Sequence, residues 1–346
     1  MKIVWLNGNP NQNFGGTEIH SVEMVKELKK RGLDLLLVVA KGSYVDRYTQ
    51  GVKKHYISFP NSLAFYSTYK LAKLLKREKP QILIANNGKE YLNALICGKL
   101  SKAKVVFFRH MERMKSWGVK RFVFPYVDLF LAVSDHVKRN LIEEGVKPER
   151  VKVVYNLIDE ERFYWKEKPR DFLNFLFVGK VDKGKGVWDL LYAFERLSKI
   201  KDKVRCFYVG EGPEREKLQK AVYEKGLKYK VFVVGYTKEV ERYYQHSHVC
   251  VIPSKETEAF PRVAIEALAC GCALISSDVG GTKEAILEGK NGYVFMAGDV
   301  EGLFQKMLKA SQEWESLSLD SLRLYRERFS RQKVMESFIR ALEELL

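Results

Sequence analysis

The sequence predicts an α/β chain of two Rossmann-like domains, and three observations carry that reading. The chain has 346 residues, 46% of them hydrophobic, enough for a large core and a length nearer two domains than one. Short β-rich apolar runs alternate with amphipathic helical stretches from end to end. A charged, proline-bearing stretch without a clear period, "DEERFYWKEKPRDF" from Asp159 to Phe172, interrupts the alternation near the middle and reads as the linker.

Such alternation belongs to parallel sheets covered by helices, whose strands are buried on both faces and so read as continuous apolar runs. In the first half the runs are "KIVWLN", "DLLLVVA", "ILIANN", "KVVFFRH", "LFLAVS" and "VKVVYN"; in the second they are "LNFLFVGK", "VRCFYVG", "VFVVG", "VCVIPS" and "CALISSD". The closing stretch "FSRQKVMESFIRALEELL" puts Val334, Phe338, Ile339 and Leu342 at helical spacing behind Ser330, a good N-cap residue, and reads as a final helix. The expected division is 1–165, 166–328 and a terminal helix over 329–346.

Composition excludes several classes. No segment approaches the roughly 20 apolar residues of a membrane span, since the longest candidate, "FVFPYVDLFLAV", is cut by Pro125 and Asp128. Five scattered cysteines without a C-x-x-C pair, and a start without an apolar signal core, favour a reducing cytoplasm. No repeat or low-complexity tract supports a solenoid. Formal net charge is +17, and it is uneven: residues 1 to 165 hold 29 Lys and Arg against 16 Asp and Glu, whereas residues 166 to 346 hold 31 against 27. The first half meets something anionic or is simply well solvated.

Candidate site residues cluster after strands. In "NGNPNQNFGGTEIH", Gly15 and Gly16 precede a helix and leave room for a ligand to approach its first amides; the same pair also serves merely to turn the chain. The spacing fits neither a dinucleotide fingerprint nor a P-loop. In "FVGKVDKGKGVWDLL", Lys180 and Lys185 follow a strand, where open α/β sheets bind ligands, and could face a diphosphate. In "ETEAFPRVAIEALACG", Pro261 suits a first helical turn, so Glu258 lies in the loop before the helix and Glu266 more than a turn inside. The amides of Phe260, Pro261's neighbour Arg262 and Val263 could then serve phosphate or sugar, while the two carboxylates accept from vicinal hydroxyls. A ligand with a diphosphate between two sets of hydroxyls is a nucleotide sugar.

The spacing from Glu258 to Glu266, followed by "ALACGCALISSDVGGTKEAILEGKNGYVF", resembles the E-x7-E region of retaining glycosyltransferases of the GT-B fold, family 4. "FGGTEIHSVEMVKELKKRG" is similar to that family's first glycine turn, and "VGKVDKGKGVWDLLYAF" to its diphosphate turn. The resemblance implies two Rossmann-like domains with a cleft between them and the last helix closing back on the first domain. It implies donor-sugar contact by Glu258, ribose contact by Glu266, diphosphate contact by Lys180 and Lys185, and an approach to the phosphates by Gly16. His110, which alone could equally be a packed or solvated histidine, matches the family's active-site histidine. Specificity is expected to rest on loops around Tyr236, Thr237 and Arg262, and the donor-binding group is expected to include these with Gly15, Gly16, Phe260, Pro261, Val263 and Glu266. The chain departs from the family pattern with Lys at 180, where arginine is usual, and with Tyr155, Asn156 and Leu157 in place of Pro-Asn-Gly.

The implied activity is transfer of a sugar, with retention, from a nucleoside diphosphate, UDP or GDP, to an acceptor hydroxyl. No cofactor or metal is expected, since no D-x-D pair is present; His246, His248 and Cys250 alternate in a way that could suggest zinc but read better as core. Alternatives are a nucleotide-sugar epimerase of the same fold and a non-catalytic basic module, though no nucleic-acid-binding signature accompanies the charge. "YKLAKLLKREK" and "RHMERMKSWGVKRFVF" mix cations with apolar side chains. With Trp117 and Phe124, they point to peripheral contact with an anionic membrane on its cytoplasmic face and to a lipid-linked or anionic glycan acceptor. Leu71, Leu74 and Leu75 are expected to face the core.

Overall fold

The computed structural model describes residues 1–10, 15–112 and 116–346. The chain divides into two units, Met1–Leu157 with Val334–Leu346, and Ile158–Lys333.

Unit 1 runs β1 (Lys2–Asn7), α1 (Gly16–Lys30), β2 (Asp34–Val39), α2 (Tyr44–Tyr48), β3 (Lys54–Tyr56), α3 (Phe65–Glu78), β4 (Ile82–Ala85) and α4 (Tyr91–Ser101). It continues through β5 (Lys104–Arg109), α5 (Trp117–Phe122), β6 (Leu129–Ala132), α6 (Asp135–Glu143) and β7 (Val151–Val153). The strands form one seven-stranded sheet in the order β3-β2-β1-β4-β5-β6-β7, with every pairing parallel. Helices cover both faces, which is why β1, β2 and β5 each bury five consecutive residues rather than alternating. On α3 the buried stripe is Leu71, Leu74 and Leu75, as the spacing predicts.

Unit 2 runs β8 (Leu173–Val178), α7 (Val187–Ile200), β9 (Val204–Val209), α8 (Arg215–Glu224), β10 (Val231–Gly235), α9 (Val240–His246) and β11 (Val249–Ile252). Then come α10 (Arg262–Ala269), β12 (Ala273–Ser277), β13 (Gly292–Phe295) and the 25-residue α11 (Val300–Leu324). Its six strands lie in the order β10-β9-β8-β11-β12-β13, again all parallel. The core between this sheet and its helices is aromatic-rich, with Phe175, Phe194 and Tyr208 fully buried.

The last helix, α12 (Arg331–Glu343), leaves unit 2 and completes unit 1. It buries Val334, Met335, Phe338, Ala341 and Leu342, and the Phe338 ring lies 6.3 Å from the Trp5 ring of β1. Near its end, Lys152 on β7 pairs with Glu344 at 2.7 Å. The other crossing, between Leu157 and Ile158, comes earlier than the boundary expected at 165. The reason is that the charged stretch is tied into unit 2. Arg162 donates to the Lys238 carbonyl at 2.7 Å, Phe163 packs on Tyr244, and the buried Lys168 ammonium donates to the carbonyls of Tyr244 and Cys270, each at 2.8 Å.

The expected aromatic face after His110 needs one correction. Phe124 is buried, edge-on to Phe130 with centroids 4.9 Å apart, and belongs to the core. The exposed aromatics there are Trp117, Phe122 and Tyr126. Arg113, Met114 and Lys115 of the same stretch lie outside the described residues.

Candidate active site

In unit 2 the strand order reverses between β8 and β11, and the carboxyl side of such a switch point is where open α/β sheets bind ligands. The β8 loop carries Lys180, Asp182 and Lys185. Asp182 organises it by accepting the Lys185 backbone N–H at 2.9 Å through Oδ1 and pairing with the exposed Lys180 ammonium at 3.1 Å through Oδ2. Gly186 ends the loop at φ +69°, where a Cβ would stand 1.8 Å from the Pro253 carbonyl oxygen, so only glycine brings the β8 and β11 loops this close.

That close approach joins the two loops chemically. The Lys185 ammonium sits 2.8 Å from Glu258 Oε1, the oxygen that also accepts from the Ser254 hydroxyl. The backbone of Glu258 is held too, its carbonyl accepting from the Gly281 N–H at 2.8 Å. A lysine has three donors, so Lys185 can keep this carboxylate and still offer N–H to a phosphate.

Helix α10 starts one residue later than the sequence suggests, because Pro261 is its N-cap, in an extended conformation, and Arg262 opens the helix. The separation of the two acids survives this shift. Glu266 accepts from the Tyr244 hydroxyl at 3.0 Å and lies 3.6 Å from Arg262 Nε, one turn back. The Phe260 side chain is stacked on Phe329, 5.7 Å between centroids, so Phe260 has only its backbone to offer a ligand. Val263, half-buried in the first turn, likewise contributes an amide that has no helical carbonyl before it. Tyr236 and Thr237 follow the edge strand β10, two places from β8. Tyr236 is exposed with its N–H on Glu211, and Thr237 accepts the Glu239 N–H at 3.1 Å.

Unit 1 has its own reversal, between β1 and β4. Here two carboxyl groups fasten the ends of the loop after β1. Glu90 Oε1 accepts the Gly8 N–H at 2.5 Å, and Glu18 Oε2 accepts the Gly15 N–H at 3.1 Å. The Gly15 amide is therefore already engaged, whereas a Cβ on Gly16 would meet nothing within 4 Å, so packing does not dictate glycine there. Glu90 is fully buried; burial drives its carboxyl up to about 8, against the pull of the Gly8 and Asn87 N–H groups and with the Glu18 charge adding to the rise.

His110 follows β5. Its ring stacks on Phe108 at 4.9 Å and meets His20 edge-on at 4.6 Å. Nε2 is shut off from solvent and has no hydrogen-bond partner among the described residues. Burial, with the adjacent Arg109 charge, lowers its pKa to about 3, so the imidazole is neutral near pH 7.

The zinc-like alternation in unit 2 is structural. His248 accepts the Asn174 N–H on Nδ1 and donates from Nε2 to the Pro169 carbonyl, both at 2.9 Å, which leaves no nitrogen for a metal. His246 ends α9 with its Nδ1 on the Arg242 carbonyl, and Cys250 is inside β11. Among the described residues no three His, Cys, Asp or Glu side chains are grouped to hold an ion. Sequence reasoning missed Asp182, Ser254, Tyr244 and Glu90. Asp182 was the one with a signal, standing between two lysines in a glycine-bearing turn.

A family model described as "Glycosyl transferases group 1" matches residues 159–332, and one described as "Glycosyltransferase Family 4" matches residues 14–162. The N-acetyl-alpha-D-glucosaminyl L-malate synthase of Bacillus anthracis is 27% identical over 337 residues, covering 88% of this chain and 86% of its own. The lipopolysaccharide 1,6-galactosyltransferase of Salmonella typhimurium is 24% identical, covering 87% of each. Among solved structures, Anabaena Alr3699/HepE in complex with UDP superposes with a TM-score of 0.83 at 18% identity, over 99% of this chain and 100% of that one. The two family models meet near the crossing between the units and span both, and the chain belongs to the glycosyl transferases group 1, family 4 glycosyltransferases of the GT-B fold.

Proposed function

We propose that the protein transfers a sugar, with retention at the anomeric carbon and without a metal, from a nucleoside-diphosphate sugar held by unit 2 to a hydroxyl of an acceptor served by unit 1. The observation that carries this is the Lys185–Glu258 pair at the switch point of the unit 2 sheet, 2.8 Å apart, beside the start of α10. A cation for the diphosphate and an acid for sugar hydroxyls are the two chemistries a nucleotide sugar requires. Glu266, steadied by Tyr244, takes the ribose hydroxyls. UDP is the favoured nucleotide, because the Anabaena structure of the same fold holds UDP.

In the reaction the bond from the anomeric carbon to the diphosphate oxygen breaks as the bond to the acceptor oxygen forms on the same face. The acceptor proton passes to the departing phosphate oxygen. Lys180, Lys185 and the first amides of α10 stabilise the charge that grows on that phosphate, which removes the need for a divalent ion. His110, neutral near pH 7, positions a hydroxyl rather than supplying charge.

The acceptor in this reading is a lipid-linked or membrane glycan. Exposed Trp117, Phe122 and Tyr126 follow His110, and Trp117 lines an open hollow of about 600 Å³ with Lys120 and Arg121 and with Glu143 and Glu144, the second of which pairs with Lys120 at 3.6 Å. On α3, Phe65, Tyr66 and Tyr69 are exposed on a helix that also carries Lys70, Lys73 and Lys76. Aromatic and basic side chains together suit an anionic interface. The Salmonella relative is named for action on lipopolysaccharide, a glycolipid.

Thermal unfolding with UDP, GDP and ADP tests the donor reading. A ligand at 100 times its Kd stabilises by about 2.7 kcal/mol. A melting temperature unmoved by all three nucleotides would remove unit 2 as a nucleotide site.

A further inference from the structure

Arg109 is the last residue of β5, immediately before His110, and only 3% exposed. Among the described residues its Nε and Nη2 have no hydrogen-bond partner, and no carboxylate pairs with it. Its polar partner here is the neutral Tyr91 phenol, with which it shares a hydrogen bond and whose pKa it pulls down against burial, and it repels the proton of His110. Neither is an anion near neutral pH.

A guanidinium cannot escape this by losing its proton, as a buried lysine can. Left without a counter-charge, it weakens the fold that buries it. A charge kept at such a cost, one residue from the active-site histidine, has its partner in a ligand.

We propose that Arg109 is a specificity-determining residue that receives an oxyanion, phosphate or carboxylate, carried by the acceptor. This rests on unit 1 serving the acceptor. The donor's diphosphate has its own cations in unit 2, Lys180 and Lys185, so a second cationic group is unexplained by the donor. The planar fork of arginine suits either oxyanion through two parallel N–H bonds. Phe108 stacks with His110, whereas Phe107, on the Arg109 side of the strand, stacks with Tyr91 at 4.0 Å. The two groups thus leave the strand end on opposite faces, and the anion is a different part of the acceptor from the hydroxyl that reacts.

The test compares the wild-type protein with Arg109→Met and Arg109→Lys, all saturated with UDP at constant ionic strength. Inorganic phosphate is titrated in one arm and L-malate in the other, with chloride as control, by calorimetry and by melting temperature. Wild type should bind one of the two anions saturably, which identifies phosphate or carboxylate as the group. Arg109→Met should lose tenfold or more of that affinity and melt no lower than wild type in chloride, because it removes an uncompensated charge while filling the space. Arg109→Lys should fall between them. Wild type that responds to neither anion, Arg109→Met that responds as wild type does, or Arg109→Met that melts well below wild type in chloride overturns the proposal, the last by making Arg109 structural. UDP affinity is measured separately in all three; its absence in wild type would defeat the donor reading and leave the comparison of anion binding intact.

Discussion

Replacing Glu90 with glutamine should make the protein more stable at neutral and alkaline pH while changing little in mild acid. The wild-type carboxyl is buried and keeps its proton up to about 8, whereas in the unfolded chain it titrates near 4.5. Between those values the unfolded state gains by releasing the proton and the folded state does not. The stability is therefore whole below pH 4.5 and is lost as pH rises toward 8. Each pH unit is worth about 1.4 kcal/mol, so at pH 7 the loss is about 3 kcal/mol and above pH 8 it levels near 5 kcal/mol. Glutamine has almost the same shape, keeps an oxygen for the Gly8 N–H at the Oε1 position, and does not titrate. Urea unfolding of both proteins from pH 4.5 to 9, followed by circular dichroism, measures the difference. His110 and His248, held to about 3 and about 4 when folded, lose stability as pH falls below their unfolded value of 6.5, but they are common to both proteins and cancel. A difference between variant and wild type that is constant across this range would mean that Glu90 is ionised in the fold and that the burial argument is wrong.

Lys185→Ala should lower kcat on the order of 100-fold, since leaving-group charge grows toward the transition state. Glu266→Gln should instead weaken UDP binding about tenfold without any acceptor present, as loss of a charged hydrogen-bond acceptor does; calorimetry and steady-state kinetics separate the two effects. Sugar transfer should proceed unchanged in EDTA, and activity that disappears and returns with Mg²⁺ or Mn²⁺ would end the metal-free reading. Gly186→Ala should destabilise by at least about 2 kcal/mol and loosen UDP binding, because its φ of +69° and the Pro253 carbonyl 1.8 Å away both oppose a Cβ. Co-sedimentation with vesicles should require anionic lipid, weaken with salt, and fall when Lys120 and Arg121 become Glu; equal binding to neutral and anionic vesicles would favour a soluble acceptor.

The central strands were legible because they are buried on both faces, and eleven apolar runs mark eleven of the strands. The two that escaped notice are β3 and β13, short strands at the sheet edges. β3, with the sequence Lys-His-Tyr, has no apolar run at all, since an edge strand needs no second buried face. The unit 2 site was legible in outline because lysines after a strand, and acids on either side of a helix start, have a chemical logic that spacing exposes. What fastens those groups was not. Ser254 and Tyr244 reach Glu258 and Glu266 from residues that carry no signal of their own. Glu90 owes its perturbation chiefly to burial, which periodicity cannot foresee. The same holds for Phe124 and Phe122, neighbours but one in sequence, of which only the second is exposed.

The placement of α12 has a consequence for synthesis. Because residues 334–346 belong to unit 1 while 158–333 form unit 2, the second unit is topologically an insertion within the first. A ribosome delivers the whole sheet of unit 1 early, yet the hydrophobic wall that covers Trp5 arrives only when Phe338 emerges. Unit 2 can close as soon as its own chain is out, whereas unit 1 must wait through the making of its neighbour with part of its core uncovered. A nascent chain halted before residue 334 should accordingly expose apolar surface to chaperones from its oldest part rather than its newest.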